Sequence, residues 1–448
     1  MKLTERMRVA RSRRSAIVVT VVVCAMAAGA LVLGSIRAAL VAGGPAACAI
    51  SGASGATGTT RYAVTDVRAN DSTDDRAGIQ SAIDRASSGG GGIVTLPAGT
   101  LLVNAPIIVK KKVRLEGLGA NTTVVKAGPA FMASSGPYKG HPLITTSTAT
   151  DVTIANLTAD QSGDTLNGNA SGRLAEYLID IRWSSNALVT GVVTKNPFTY
   201  SIAAASSKRF CILNNNVSAS TGGLYNQLDG IHILNSSFGD VVGNTIDQGL
   251  VPDGDDALVA HTINGSVHDV SYVGNKARGG GIYGHGMQFA LSSDTDQIYN
   301  ITISGNEIWG SPAGIVTGYY GKNGAVHDVA ITGNYFHDNS NYAVSITGRP
   351  YNVSITANQT CRSQGFTVTP GPGNIVGPHD QYILDSRVGS VGNCPTRGIA
   401  QRAHDARVIN LELRTIPRGP AYPAPVGGPG SLSRELFPLT GGVRHVRA

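Results

Sequence analysis

The sequence predicts an all-β solenoid, in which short parallel strands stack in successive coils behind one amino-terminal helix. Three observations carry this expectation. Gly supplies 57 of 448 residues while only 15% are charged and 6% aromatic, a balance that favours short strands and tight turns over long surface helices. A strand-and-turn unit recurs as DVTIANLTA (151–159), DVVGNTI (240–246), DVSYVGNKA (269–277), NITISGNEI (300–308), DVAITGNYF (328–336) and NVSITANQT (352–360). Its turn Asn residues, Asn244, Asn275, Asn306, Asn334 and Asn358, follow one another at 31, 31, 28 and 24 residues. A period of that length means one supersecondary unit per repeat, and two or three strands per unit are too few for a propeller blade. Stacked Asn side chains at one turn can satisfy the backbone of neighbouring coils, which gives the repeat a structural reason.

Taken in order, residues 1–42 carry seven Lys or Arg and one acid, and an uncharged Val/Ala/Leu run from Ala16 to Ile36 follows Arg11–Arg14. This reads as a signal peptide or a single membrane anchor, long enough to span a bilayer with its basic flank in the cytoplasm. The expected location is therefore secreted or cell-surface, by bacterial-type export. Arg13-Arg14-Ser15 hints at a twin-arginine signal. Residues 43–62 read as a low-complexity linker. Thr73 to Ala86 reads as one amphipathic helix with a Thr cap and with Ile79, Ala82, Ile83 and Ala86 on one face. Strand-like segments then run through the repeats, so that residues 63–395 form the solenoid. Residues 396–448, with the Pro/Gly segment 419–430, read as a carboxy-terminal cap or tail.

The formal net charge of +7 is concentrated at the two ends, and residues 43–395 are mildly acidic at −4. Nucleic acid is therefore not an expected partner. Outside the apolar run the cysteines are Cys48, Cys211, Cys361 and Cys394. None has metal-ligand spacing, and proximity makes Cys361 with Cys394 the expected bridge in an exported chain.

A second series runs half a coil out of phase: DGIHIL (229–234), DALVAH (256–261), HGMQFA (285–290), AGIVTG (313–318) and YAVSIT (342–347). Counting the first residue as position zero, positions two and four are apolar and should face the core. Positions three and five should face outward. Stacking in this register makes position zero a column of Asp229, Asp256, His285, Ala313 and Tyr342, about 4.8 Å apart per step. Its facing is undecided by the pattern.

Asp253, Asp255 and Asp256 lie in PDGDDAL, and Asp229 is one coil earlier. Crowded carboxylates raise one another's pKa, which yields an acid and a base near neutral pH, the requirement for cleaving a glycosidic bond. The alternative is a polar surface turn.

The residues that carry chemistry also carry a resemblance. The run from about Thr65 to Gly119 resembles the amino-terminal segment of pectin-degrading right-handed β-helix proteins, and residues 225–325 resemble family 28 glycoside hydrolases, the polygalacturonase family. That family's Asn-Thr-Asp, Gly-Asp-Asp and Gly-His-Gly motifs are matched in order by Gln227-Leu228-Asp229, Gly254-Asp255-Asp256 and Gly284-His285-Gly286. The first match keeps only its Asp. The resemblance implies a right-handed parallel β-helix, Asp255 as general acid, Asp229 and Asp256 as the pair activating water, and His285 in support. It implies no cofactor, and inversion, whereas a spacing of about 5 Å between Asp229 and Asp256 falls on the retaining side of the general rule. Where the family places Arg-Ile-Lys to bind a uronate carboxylate, this chain has Gly314-Ile315 followed by Val316-Thr317-Gly318.

The missing cations remove charge-assisted recognition of a carboxylate, so a neutral glycan is the expected substrate. His232, His261, Gln288, Tyr319, Tyr320 and Lys322 are the expected binding residues. Two other functions fit the same coil. A polysaccharide lyase or epimerase would use Asp229, Asp253, Asp255 and Asp256 for Ca²⁺ and Lys276, Arg278 or Lys322 as base. A non-catalytic monomer would bind glycan as a scaffold. A monomer is expected in every case.

Overall fold

The structure is a computed structural model that describes residues 48–131, 142–166, 177–218, 228–250, 254–281, 283–319, 324–378 and 380–382. Within them the chain winds into three parallel sheets of 12, 10 and 11 strands, and every third strand in sequence is hydrogen-bonded to the last. Each coil adds one strand to each sheet. This is the right-handed parallel β-helix that the sequence led us to expect, right-handed as parallel crossovers are.

The alternation explains why the coil closes. Ile231, Ile233, Leu258, Ala260, Met287, Phe289, Ile315, Val344 and Ile346 are fully buried, and they sit at positions two and four of the second repeat. Thr317 is the exception, half-buried with its hydroxyl accepting the Thr347 amide. One continuous apolar core runs from Ile79 to Ile355. The helix Arg76–Ser88 contributes Ile79, Ala82, Ile83 and Ala86 to that core. Its N-cap is Asp75, two residues beyond Thr73, and Asp75, buried, uses its carboxylate on the Arg68 and Leu102 amides and makes no side-chain cap. Thr73 bonds Asp71 instead.

A column of Asn side chains sets one corner. Asn215, Asn244, Asn275, Asn306, Asn334 and Asn358 form a buried ladder in which each side-chain amide donates to the next Asn and to a carbonyl of an earlier coil. The residue before each of the last five is in the left-handed region, Gly243, Gly274, Gly305 and Gly333 near φ +65 and Ala357 at +53. Glycine accounts for four of the five because that backbone costs it nothing.

One expectation needs correction. Part of the stretch expected as a linker, residues 48–56, is a strap across the outer face of the 12-stranded sheet. Cys48 is disulfide-bonded to Cys211, the Ser51 amide and hydroxyl both donate to Asp240 at 2.7 Å, and the Ala56 amide donates to Thr153. Small residues allow this close approach, and the backbone groups find partners on the sheet. Residues Arg61–Ala63 then become the sheet's first strand. The bridge expected from proximity was Cys361 with Cys394. Cys361 is disulfide-bonded, and Cys394 lies outside the described residues. So do the apolar run 16–36 and the tail 396–448. No helix among the described residues is long and apolar enough to cross a membrane.

Candidate active site

The site lies where the 10-stranded sheet begins its strands Ile231–Leu234, Leu258–Thr262 and Met287–Leu291. These pair in the expected register, with Ile231 opposite Leu258 and Leu258 opposite Met287. The amides just before them continue the ladder: Gly230 donates to Asp256 O, and Ala257 to His285 O. Position zero is therefore a true column. Two coils further up it continues as Tyr200 and Tyr177, opposite ends of the same register. Its side chains face outward, since Asp229 bonds the outward His232 and Tyr200 stacks on that imidazole at 3.9 Å.

Glycines let the coils approach at the motif turns. A Cβ on Gly254 would meet Gln248 O at 1.7 Å, and one on Gly284 would meet Asp255 O at 2.4 Å. Both motif glycines are thus steric requirements of the turn that presents the carboxylates.

Asp229, Asp255 and Asp256 each offer an oxygen within 4.8 Å of the other two. Asp256 Oδ1 accepts from the His285 amide at 2.6 Å and pairs with His285 Nδ1 at 2.8 Å. Asp229 Oδ1 accepts from the Asp256 amide, and its Oδ2 meets His232 Nδ1 at 2.7 Å. Asp255 is half-buried, while Asp229 and Asp256 are buried. Burial, then the charge of Asp256, holds the Asp229 carboxyl well above the usual carboxylate range. Burial, then the charges of Asp256 and Asp229, does the same for Asp255. The cluster can therefore keep a proton at neutral pH and place a carboxylate beside it.

The spacing carries its own finding. The wide second separation that an inverting pair usually shows is not present, since all three carboxyl groups crowd together. The same three oxygens could act as ligands to a cation, although both Asp229 oxygens and Oδ1 of Asp256 also carry hydrogen bonds within the protein. Asp253 is outside the described residues. Lys276 and Arg278 stand on a strand of the 11-stranded sheet, with Arg278 3.6 Å from Asp247.

The expected binding residues divide. Gln288 is outward and half-exposed on the strand after the cluster. His232 and His261 point outward as expected, but they are buried and not open to a sugar. Tyr177, Tyr200, Ala203, Ala205 and Leu234 build a small apolar cluster outside the sheet, and Tyr200 covers His232 directly. Burial pushes both imidazoles down to about 3, so they are neutral. The strand Ile315–Tyr319 includes Tyr319, whose side chain, like all of Tyr320 and Lys322, lies outside the described residues. Val316 and Gly318 occupy the outward positions expected from the sequence, with no cation.

Sequence reasoning missed four neighbours. Tyr177 and Tyr200 would have been found by carrying the register two coils upstream, through the apolar pairs Ile179/Ile181 and Ile202/Ala204. Asp180 and Arg182 sit at positions three and five of that same upstream strand, paired at 2.7 Å, with the guanidinium over the Tyr177 and Trp183 rings.

Residues 64–315 match the family described as Rhamnogalacturonase A/epimerase, pectate lyase-like, which is more than half of the chain. Among solved structures the chain is similar to a hyperthermoactive exopolygalacturonase from Thermotoga maritima, with 15% identity, a TM-score of 0.55, and 76% of this chain and 96% of that chain covered. It is also similar to an endo-xylogalacturonan hydrolase from Aspergillus tubingensis, at 16% identity and a TM-score of 0.53, covering 76% and 100%. A polygalacturonase from Erwinia carotovora ssp. carotovora aligns at 13% identity and 0.50, covering 73% and 98%. At these identities the likeness is one of fold. No curated protein matches the chain.

Proposed function

The chain belongs to the family described as Rhamnogalacturonase A/epimerase, pectate lyase-like, and from that premise we propose that it is a glycoside hydrolase that cleaves a polysaccharide at the Asp229, Asp255 and Asp256 cluster. The observation that carries the reading is the division of labour among three crowded carboxyls. Asp255 is the most open of the three, and burial together with the charges of Asp256 and Asp229 favours its protonated form, as a general acid for the leaving glycosidic oxygen requires. Asp229 and Asp256 are tied down by His232, His285 and backbone amides. Held in place in this way, the pair can orient a water toward the anomeric carbon and take its proton. The reaction is then a single displacement with inversion, despite the short spacing. An anomeric NMR time course showing retained configuration overturns that part.

The solved structures named as polygalacturonases and a xylogalacturonan hydrolase share the fold. For this chain we propose a neutral glycan. Val316 and Gly318 bring no charge to the outward face beyond the cluster, and Arg182, an outward cation on this sheet, is held by Asp180. Gln288 offers hydrogen bonds suited to sugar hydroxyls. The Cys48–Cys211 bridge supports an exported protein, since such bonds persist in oxidising compartments.

The test is mass spectrometry of products from a panel of neutral and acidic polysaccharides, with Asp255→Asn as control. Products that gain one water, from neutral glycans and only with the unaltered protein, are expected. Strong activity on polygalacturonate would refute the substrate class, unsaturated products would replace hydrolysis with elimination, and products from Asp255→Asn at the normal rate would remove Asp255 from the chemistry.

A further inference from the structure

Behind Asp229 an unbroken line of hydrogen-bonding groups leads away from the cluster. Asp229 Oδ2 is 2.7 Å from His232 Nδ1, His232 Nε2 is 3.0 Å from His261 Nδ1, and His261 Nε2 is 2.7 Å from the Ser292 hydroxyl. The three protein groups come from three successive coils. Both imidazoles are buried, and Ser292 at the far end is partly exposed. Two observations make this more than a satisfied core. Each imidazole uses both ring nitrogens within the line, and the line is self-consistent in either direction. If Asp229 is ionised, His232 Nδ1–H donates to it, His261 Nδ1–H donates to His232, and Ser292 donates to His261. If Asp229 is protonated, every bond reverses and Ser292 accepts. Moving between the two states needs no change of charge on either imidazole, only a change of tautomer.

Hydrolysis at the cluster, on which this inference rests, creates a need for such a line. When water attacks the anomeric carbon, the glycosidic C–O bond breaks, the Asp255 proton goes to the leaving oxygen, and one water proton remains on the pair. Both members of that pair are buried, and Asp229 is the one whose surroundings favour the protonated form. Its side chain is almost closed to solvent. We propose that His232, His261 and Ser292 are a proton conduit that empties Asp229 to solvent after each turnover. In that step Asp229 gives its proton to His232 Nδ1 as His232 Nε2–H passes to His261 Nδ1. His261 Nε2–H then passes to Ser292 Oγ, and the Ser292 hydroxyl proton leaves to water. One proton enters and one leaves, while Asp255 recovers its own from solvent.

The surroundings suit relay by neutral rings. His232 faces Asp229, Tyr200 and, across the coil, Asp256. His261 faces His232, Ser292 and Asp296, whose oxygens are held by the Ser292, Ser293 and Gly265 amides and the Ser293 hydroxyl. His285 stands on Asp256 and outside the line. Burial pushes both relay imidazoles down to about 3, so they are neutral near neutral pH.

Two variants and two readouts test the conduit. Ser292→Ala cuts the exit with the smallest change to packing, and His261→Gln breaks the middle. Each should lower the steady-state rate about tenfold or more, leave single-turnover cleavage within about twofold, and recover with added imidazole buffer. Equal loss in single and multiple turnover, without recovery, means a structural role and overturns the proposal. The second readout needs no substrate. In ¹⁵N NMR of the unaltered protein from mildly acidic to alkaline pH, where the raised Asp229 carboxyl titrates, both imidazoles should stay neutral and exchange tautomers together. Tautomers that stay fixed, or rings that ionise independently, overturn the conduit. Absence of any hydrolysis by the unaltered protein sinks the hydrolase reading instead, and the NMR result still judges the relay.

Discussion

At the scale of single residues, Asp255 shows how a group can serve catalysis at a cost to stability. Its carboxyl is held above the usual range by burial and by the charges of Asp256 and Asp229. The folded-state pKa therefore exceeds the unfolded value, and the group's favourable share of stability is present at low pH and lost as pH rises through the folded pKa. Asp255→Asn should abolish hydrolysis, with a loss of about 10² to 10⁴ in kcat. It should also stabilise the fold by on the order of 1 kcal/mol at neutral pH, a gain that disappears in acid. Denaturant melts at two pH values check the second point. The same sign predicts that kcat falls on the alkaline side as Asp255 loses its proton, and that this limb shifts toward acid in a variant lacking the Asp256 charge, Asp256→Asn, where residual activity can be followed.

Single residues also mark where reading outward positions from alternation is insufficient. His232 and His261 point away from the core as the period of two requires. Outward is not exposed, however, because Tyr200, itself stacked on Tyr177, closes over His232, and His261 packs edge-on against His232. The period assigns a face of the sheet, and only the neighbouring coils decide what covers that face.

At the scale of elements, the corner between the 12- and 11-stranded sheets is the most demanding part of the fold. Asn275 is satisfied on both sides of its amide: Oδ1 accepts from Asn244 N and Nδ2, and Nδ2 donates to Val241 O and Asn306 Oδ1. Asn275→Ala leaves several buried groups without partners at once, and a loss of about 2–4 kcal/mol is expected. Equilibrium unfolding measures it. Ala357 is the one corner residue of the last five that is not Gly, and at φ +53 it bears left-handed strain. Ala357→Gly should therefore stabilise by about 1 kcal/mol, whereas Gly274→Ala, with no atom near its would-be Cβ, should cost about the same by strain alone. The ladder was legible because its Asn recurs at a fixed phase of the repeat. The left-handed positions along the 12-stranded sheet, Asp151, Asn186, Arg209, Phe238, Asp269, Asn300, Asp328 and Asn352, were not read from the sequence, although six of the eight are Asp or Asn, the side chains that tolerate that backbone best after Gly.

At the scale of the whole molecule, the strap from Cys48 ties coils that are distant in sequence. The bridge to Cys211 spans 163 residues, and the Asp240 carboxylate gathers Ile50, Ser51 and Ser271 around it. Replacing Cys48 and Cys211 together by Ala should cost about 2–5 kcal/mol and open residues 48–60 to proteolysis, while the coils keep their circular dichroism. Limited proteolysis followed by mass analysis reads the difference. Unchanged cleavage would mean that the Asp240 contacts hold the strap without the disulfide.

The sequence by itself determined the repeat, the parallel coil, the core positions and the vertical order of Asp229, Asp256 and His285, because each follows from local periodicity and from the fixed rise between stacked strands. It also placed Asp255 beside them, since adjacent residues cannot be separated. The tertiary structure alone decided which way position zero faces, that two outward histidines are covered and joined into a line ending at Ser292, and that residues read as a linker are a disulfide-bonded strap. Those features depend on contacts between residues dozens to more than a hundred positions apart, where burial and hydrogen-bond pairing are set by which coils meet and no local pattern records the meeting.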